Sequence, residues 1–172
     1  MVPLASTAAE IKFCKDIINS VASSITDNTD QKLNYLVGTM VELPRAALCA
    51  DDLATSADFF SFGTNDLTQT TLGISRDDIG TFLNKYLEAK IFPNDPFISI
   101  DTKGVGSLLE IGIKKGKEVK SNLKVGICGE HGGDPASIDF FEKIKLDYIS
   151  ASPFRIPISR LAAAHSSIKD KK

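Results

Sequence analysis

Cys128, Glu130 and His131 fall within four positions of one another in "VGICGEHGG" (125–133), between an apolar run and paired glycines. These residue types can make a metal site, a nucleophile with its base, or a proton donor. Zinc asks for three or four Cys or His ligands, and a chain with 3 scattered cysteines and 2 histidines argues against it. A cysteine nucleophile wants a base nearby; His131 could serve, but nothing supplies a third member to orient it. A lone cysteine is more often packing than chemistry. A thiol at a strand end, facing carboxylates and a cation, can instead act as an acid, because a reference pKa of ~8.5 keeps it protonated near neutrality. Spacing leaves these readings open.

Two carboxylates could complete the last of them. Glu42 and Asp66 each follow an apolar segment. Placed on neighbouring strand ends they can converge on one hard cation, and Mg2+ commonly takes one or two protein carboxylates. The plainer alternative is that each is an exposed cap, with Asp66 capping a helix that begins at "LTQTT". "GTND" (63–66) divides the same way. Turn chemistry explains Gly63, Thr64, Asn65 and Asp66, yet backbone N–H groups and the Thr64 and Asn65 side chains also suit an anion near a helix N-terminus. "GVG" (104–106) is no dinucleotide loop, because position 109 is Leu109 and no strand immediately precedes it. It reads as a helix start.

The elements that must position these residues alternate. Five apolar or β-branched segments, "MVPL" (1–4), "YLVGTMVEL" (35–43), "DFFSFG" (58–63), "LKVGICG" (123–129) and "DYISAS" (147–152), lack clean apolar–polar alternation. Such runs suit parallel strands buried on both faces. Helical patterns lie between them. "STAAEIKFCKDIINSVASSI" carries Ile11, Cys14, Ile17, Ile18 and Val21 at helical spacing, with Ser6 or Thr7 as N-cap. "GSLLEIGIKKGKEVKS", "DPASIDFFEKI" and "PISRLAAAHSSIK" are three more, the last two opening at a proline suited to a first turn. Strand, helix, strand, helix predicts a parallel α/β fold, whose ligand sites gather at the carboxyl ends of the strands. The segment from about 74 to 103 is too long for a simple crossover and reads as an excursion with a short helix and a covering loop.

Composition sets the frame. The chain has 172 residues with 42% hydrophobic and 24% charged side chains and a net charge of -2, an ordinary globular balance. Nothing in it suggests a basic surface for nucleic acid. No apolar run approaches the ~20 residues of a membrane span, and no signal peptide is visible. Three cysteines without a CxxC pair favour a reducing compartment and a cytoplasmic location, with organellar targeting left open. "KDKK" at the end reads as a solvated tail.

Four long motifs, "GTMVELPRAAL" (38–48), "FFSFGTNDLTQTTLGISRDD" (59–78), "VGICGEHGG" (125–133) and "SPFRIPISRLAAA" (152–164), together resemble the C-terminal domain of the pyruvate phosphate dikinase family. The match runs from "MVPL" to the last helix. Phosphoenolpyruvate synthase and enzyme I of the sugar phosphotransferase system share "TNDLTQ"-like strand ends and remain alternatives, but Arg45 in "ELPR", "GISRDD" and "CGEHGG" resemble the dikinase. Leu43 and the stretch 27–34 depart from its pattern.

The resemblance implies the C-terminal portion, about five β/α units, of a TIM (β/α)8 barrel that binds phosphoenolpyruvate and pyruvate. It implies the reversible conversion of ATP, pyruvate and phosphate to AMP, phosphoenolpyruvate and diphosphate. Glu42 and Asp66 would hold Mg2+; Gly63, Thr64, Asn65 and Asp66 would contact substrate, as would Glu42. Cys128 would protonate the pyruvate enolate at carbon, with Arg45, Gly129, Glu130 and His131 supporting it. The barrel's earlier strands and their substrate-binding arginines, a phosphohistidine domain and a nucleotide-binding domain would belong to a longer parent chain. Neither His131 nor His165 sits in a phosphohistidine motif. The family's dimers imply a homodimer. A non-catalytic Mg2+-binding or oligomerisation piece is the contrasting expectation, and the three intact residues Glu42, Asp66 and Cys128 weigh against it.

Overall fold

A computed structural model describes residues 1–29 and 32–169. Residues 30–31, inside the divergent stretch 27–34, and the end of the "KDKK" tail lie outside the described residues. Four parallel strands, β1 (Thr39–Val41), β2 (Phe59–Gly63), β3 (Lys124–Cys128) and β4 (Tyr148–Ile149), form one sheet in the order β1-β2-β3-β4. "MVPL" contributes a single parallel bridge, Val2 to Thr39, in place of the expected strand. Leu4 explains the brevity: its backbone turns into positive φ (50°), which ends extended pairing.

Helices follow each strand. Thr7 is the N-cap of α1 (Ala8–Asp27), and Glu10 returns the bond in a full capping box. Two short helices, α2 (Pro44–Leu48) and α3 (Ala50–Ala54), link β1 to β2, and α4 (Thr64–Leu72) starts directly from β2. The stretch after α4 holds a 3-10 turn (Ile79–Thr81) and α5 (Leu83–Glu88), then runs without a strand to α6 (Val105–Val119). The Asp101 carboxylate receives the Lys103 and Gly104 N–H groups, so "GVG" is a helix start. Asp134 caps α7 (Pro135–Lys143) by accepting from Ser137 N. A 3-10 turn (Pro153–Arg155) leads into α8 (Ile156–Lys169).

The sheet has unequal faces. Phe60 and Phe62 alternate onto one face and are fully buried, their rings lying against Gly116 and Gly112 of α6. Val41, Val125 and Ile127 join them, with Ala46, Ala47, Leu53 and Leu109 from the helices above. The other face carries Met40, Phe59, Cys128 and Tyr148, all only half-buried. The expectation of strands buried on both faces therefore holds in full for one face; on the other Ser61 is buried while its larger neighbours remain partly open.

Candidate functional site

Register assembles the site. Val41 pairs with Phe62, and Gly63 with Cys128, while Ile127 pairs with Ile149. One residue further along, Glu42, Gly63, Cys128 and Ser150 form a row across four carboxyl ends, with side chains on the half-open face. Gly63 has no side chain, and the Glu42 carboxylate lies over it. Glu42 is 2% exposed, and its Oε1 accepts the Leu4 N–H at 2.7 Å. Burial pushes its carboxyl above the usual range, partly offset by the Leu4 bond, and nearby Asp66 adds to the rise.

Asp66 is not the cap of a later helix. The helix α4 begins at Thr64 with Gly63 at the N-cap, so Asp66 stands in the first turn. Its Oδ1 accepts from Gln69 Nε2 at 3.0 Å. Two carboxylates facing each other, one of them raised by the other, suit a cation between them. Among the described residues no group of three or more His, Cys, Asp or Glu side chains could hold a metal, so a cation between this pair would take its other ligands from outside it. That donor set fits Mg2+, which keeps water and substrate oxygens, better than a site enclosed by protein.

Cys128 is half-buried and free. Burial pushes its thiol up, a contact with Ser61 works against that, and Glu42 and Asp66 push it further up. The thiol is held protonated, the state an acid requires. Ser61 and Tyr148 border it and were not singled out from sequence. Ser61 Oγ is buried without a hydrogen bond of good geometry, and Tyr148 OH donates to Phe60 O at 3.0 Å after its ring crosses Gly126. Period-two alternation places Ser61 on the Gly63 face; Tyr148 could be found only through register.

The segment 128–131 meets the first two residues of α4, Thr64 and Asn65. Thr64 Oγ1 lies 3.3 Å from Cys128 O, and Glu130 N donates to Asn65 Oδ1 at 3.1 Å. Gly129 between them has φ +130°, a conformation that favours glycine. His131 is fully buried, with Nδ1 2.8 Å from Thr64 Oγ1 and Nε2 2.8 Å from Pro96 O. Glu130 is exposed and meets Arg76 at 3.6 Å. Arg45 points away from the row and donates to Ser6 O, beside the Leu4 segment that holds Glu42. A cavity of about 270 Å3 bordered by Gly129, Ser150, Ser152 and Arg155 adjoins the row, whereas one of about 520 Å3 lies under the 91–103 loop and away from it. The chemistry marks the row and not the roomier cavity.

Two carboxylates, a thiol and a helix start gather at the carboxyl ends of parallel strands, the face at which parallel α/β domains bind their ligands. The chain belongs to the PEP-binding domain family of PEP-utilising enzymes, whose family model matches residues 1–168. It is similar to pyruvate, phosphate dikinase of Clostridium symbiosum, 53% identical over 99% of this chain and 20% of that protein. It is also similar to pyruvate, phosphate dikinase of Rhizobium meliloti (strain 1021), 56% identical over 100% of this chain and 19% of that protein. A third relative is pyruvate, phosphate dikinase 2 of Oryza sativa subsp. japonica, 53% identical over 95% of this chain and 18% of that protein. The chain thus spans about a fifth of the length of these relatives. No helix among the described residues is long and apolar enough to cross a membrane.

Proposed function

We propose that this chain is the C-terminal catalytic portion of a pyruvate phosphate dikinase, contributing about five β/α units of a (β/α)8 barrel that binds phosphoenolpyruvate and pyruvate. One observation carries the reading: Glu42, Gly63 and Cys128 stand side by side on three adjacent strand ends, with Asp66 facing Glu42. The half-open sheet face fits a barrel interior that further strands would cover. Those strands, together with phosphohistidine and nucleotide-binding domains, would supply the rest of the longer relatives' length.

In this reading Glu42 and Asp66 would hold Mg2+, which would supply positive charge to offset the negative charge developing on the substrate's oxygens. Thr64 and Asn65, in the first turn of α4, orient the substrate carboxylate with backbone N–H groups at the helix N-terminus. Cys128 donates its S–H proton to the methylene carbon of the pyruvate enolate, leaving a thiolate. In the reverse direction the thiolate removes a methyl proton from pyruvate, and the electron pair of that C–H bond forms the enolate. Ser61 and Tyr148 flank the sulfur in both states. Within an assembled dikinase carrying this chain, solvent exchange of the pyruvate methyl protons tests the assignment. Exchange that persists in Cys128→Ala removes Cys128 from this role.

A further inference from the structure

We infer that His131 is a positioning residue for the strand-end site: one ring nitrogen holds the Thr64 hydroxyl at the start of α4 and the other holds Pro96 O of the 91–103 loop, so the ring fixes the turn that follows Cys128 between these two segments. The inference rests on the substrate reading of the Glu42–Gly63–Cys128 row.

A carbonyl oxygen only accepts, so the 2.8 Å contact to Pro96 O requires a proton on Nε2. In the neutral ring Nδ1 then accepts, and Thr64 Oγ1–H donates to it at 2.8 Å. That contact takes the only hydroxyl proton, so Cys128 O, 3.3 Å from the same oxygen, is a neighbour and not its acceptor; the next residue, Asn65, takes the Glu130 N–H at 3.1 Å. The turn that follows Cys128 is thereby stitched to the first two residues of α4 at Glu130 and at His131. Three further ties join the same turn and the start of α7 to the long segment: Arg76 to Glu130 at 3.6 Å, Ser99 Oγ to Asp134 at 2.9 Å, and Ile100 N to Ser137 Oγ at 3.0 Å. Among the described residues, Glu130 and His131 each join the long segment to α4, Glu130 through its backbone N–H and its side chain and His131 through the two nitrogens of one ring. A ring that merely filled the core would not need both nitrogens directed at polar atoms of two other segments, and a fully buried imidazole has no water to replace either partner.

The two halves of the ring can be separated. An amide in His131→Asn stands near the position of Nδ1 and keeps the Thr64 contact, whereas His131→Gln reaches toward Pro96 and gives up Thr64. On the 172-residue chain, long-range proton–nitrogen NMR should show His131 as the Nε2–H tautomer with a slowly exchanging ring proton, using exposed His165 as the internal contrast. An Nδ1–H tautomer, or a freely exchanging ring, overturns the inference without any variant having to fold. Amide exchange at Glu130 should quicken about tenfold or more in Gln and stay near wild type in Asn. In a dikinase assembled around this chain, misplacement on the ångström scale costs of order 10- to 100-fold in turnover. We expect Gln to lose at least about tenfold in kcat for methyl-proton exchange, with KM for pyruvate within about threefold, and Asn to recover most of it. Wild-type turnover in Gln overturns the inference. An inactive wild-type assembly overturns the strand-end reading and this inference with it, and the tautomer measured on the chain alone tells the two failures apart.

Discussion

The Glu42 carboxylate occupies the space that a side chain at Gly63 would fill. A Cβ built on Gly63 would sit 2.8 Å from Glu42 Cβ and overlap its carboxylate oxygen. Gly63→Ala should therefore expel the carboxylate from its buried seat. Overpacking of this kind costs about 1–3 kcal/mol, and Mg2+ affinity should fall along with stability. Thermal unfolding and titration calorimetry on the same protein check it. Unchanged metal heats in Gly63→Ala would separate Glu42's seat from metal binding.

Glu42 should make Mg2+ binding pH-dependent. Its carboxyl titrates above the unfolded value, chiefly because it is buried. The folded chain thus holds that proton more tightly than the unfolded chain does. Stability contributed by the protonated form is fully present below the unfolded pKa and is lost as pH rises through the raised folded pKa. At a pH above that raised pKa the metal-free chain carries a buried carboxylate, and there Glu42→Gln should raise Tm by about 2–4 °C if it relieves on the order of 1 kcal/mol. The same variant should bind Mg2+ more weakly, and wild-type binding should strengthen as pH climbs through the raised Glu42 pKa. Equal heats for both proteins would remove Glu42 from the metal site.

His131 should act in the opposite direction at low pH. Burial pulls its pKa below the ordinary 6.5, with the Pro96 bond opposing. The unfolded chain then binds the proton more readily, and stability falls as pH drops below about 6.5 until the folded pKa is reached. Replacing His131 by Asn should flatten that part of the stability profile. Chemical denaturation at several pH values, read against wild type, measures the difference.

Cys128→Ala in the assembled enzyme should abolish methyl-proton exchange by two or more orders of magnitude while ATP-dependent phosphorylation of the histidine domain continues, since acid–base catalysis contributes about 10^2- to 10^4-fold. Parallel assays of the two half-reactions provide the check, and loss of both would count against a proton-transfer role.

The isolated chain should self-associate. Phe13 (69% exposed), Ile17, Val21 and Ile25 line a bare stripe on α1, and Phe154 (94% exposed), Ile158 and Leu161 leave another at α8. If association covers about 400 Å2 of such surface, ~25 cal/mol per Å2 makes it worth roughly 10 kcal/mol. Light scattering across a dilution series should show a dimer; a monomer at micromolar concentration would mean that these stripes are tolerated in water.

Much of the architecture could be read from residues one element at a time. Asp134 followed by Pro135 marks the start of α7 in type and place, and Thr7 with Glu10 marks α1, because caps are local chemistry. Strand lengths could not be read so closely. "YLVGTMVEL" yields only Thr39–Val41 and "MVPL" only one bridge, since pairing depends on a neighbour whose position no local pattern encodes.

For the site, the sequence by itself determined the inventory: Glu42, Asp66 and Cys128 each follow an apolar run, and residue type makes them two carboxylates and a thiol. Only the tertiary structure decided their company. Parallel register put Glu42 over Gly63 and Cys128 beside it, and turned Ser61 and Tyr148 toward the sulfur. It also buried His131 between Thr64 and Pro96, which lie 67 and 35 residues away in the chain. Burial and nearby charge set what a titratable group does, and both are sums over neighbours that only the folded sheet brings within reach.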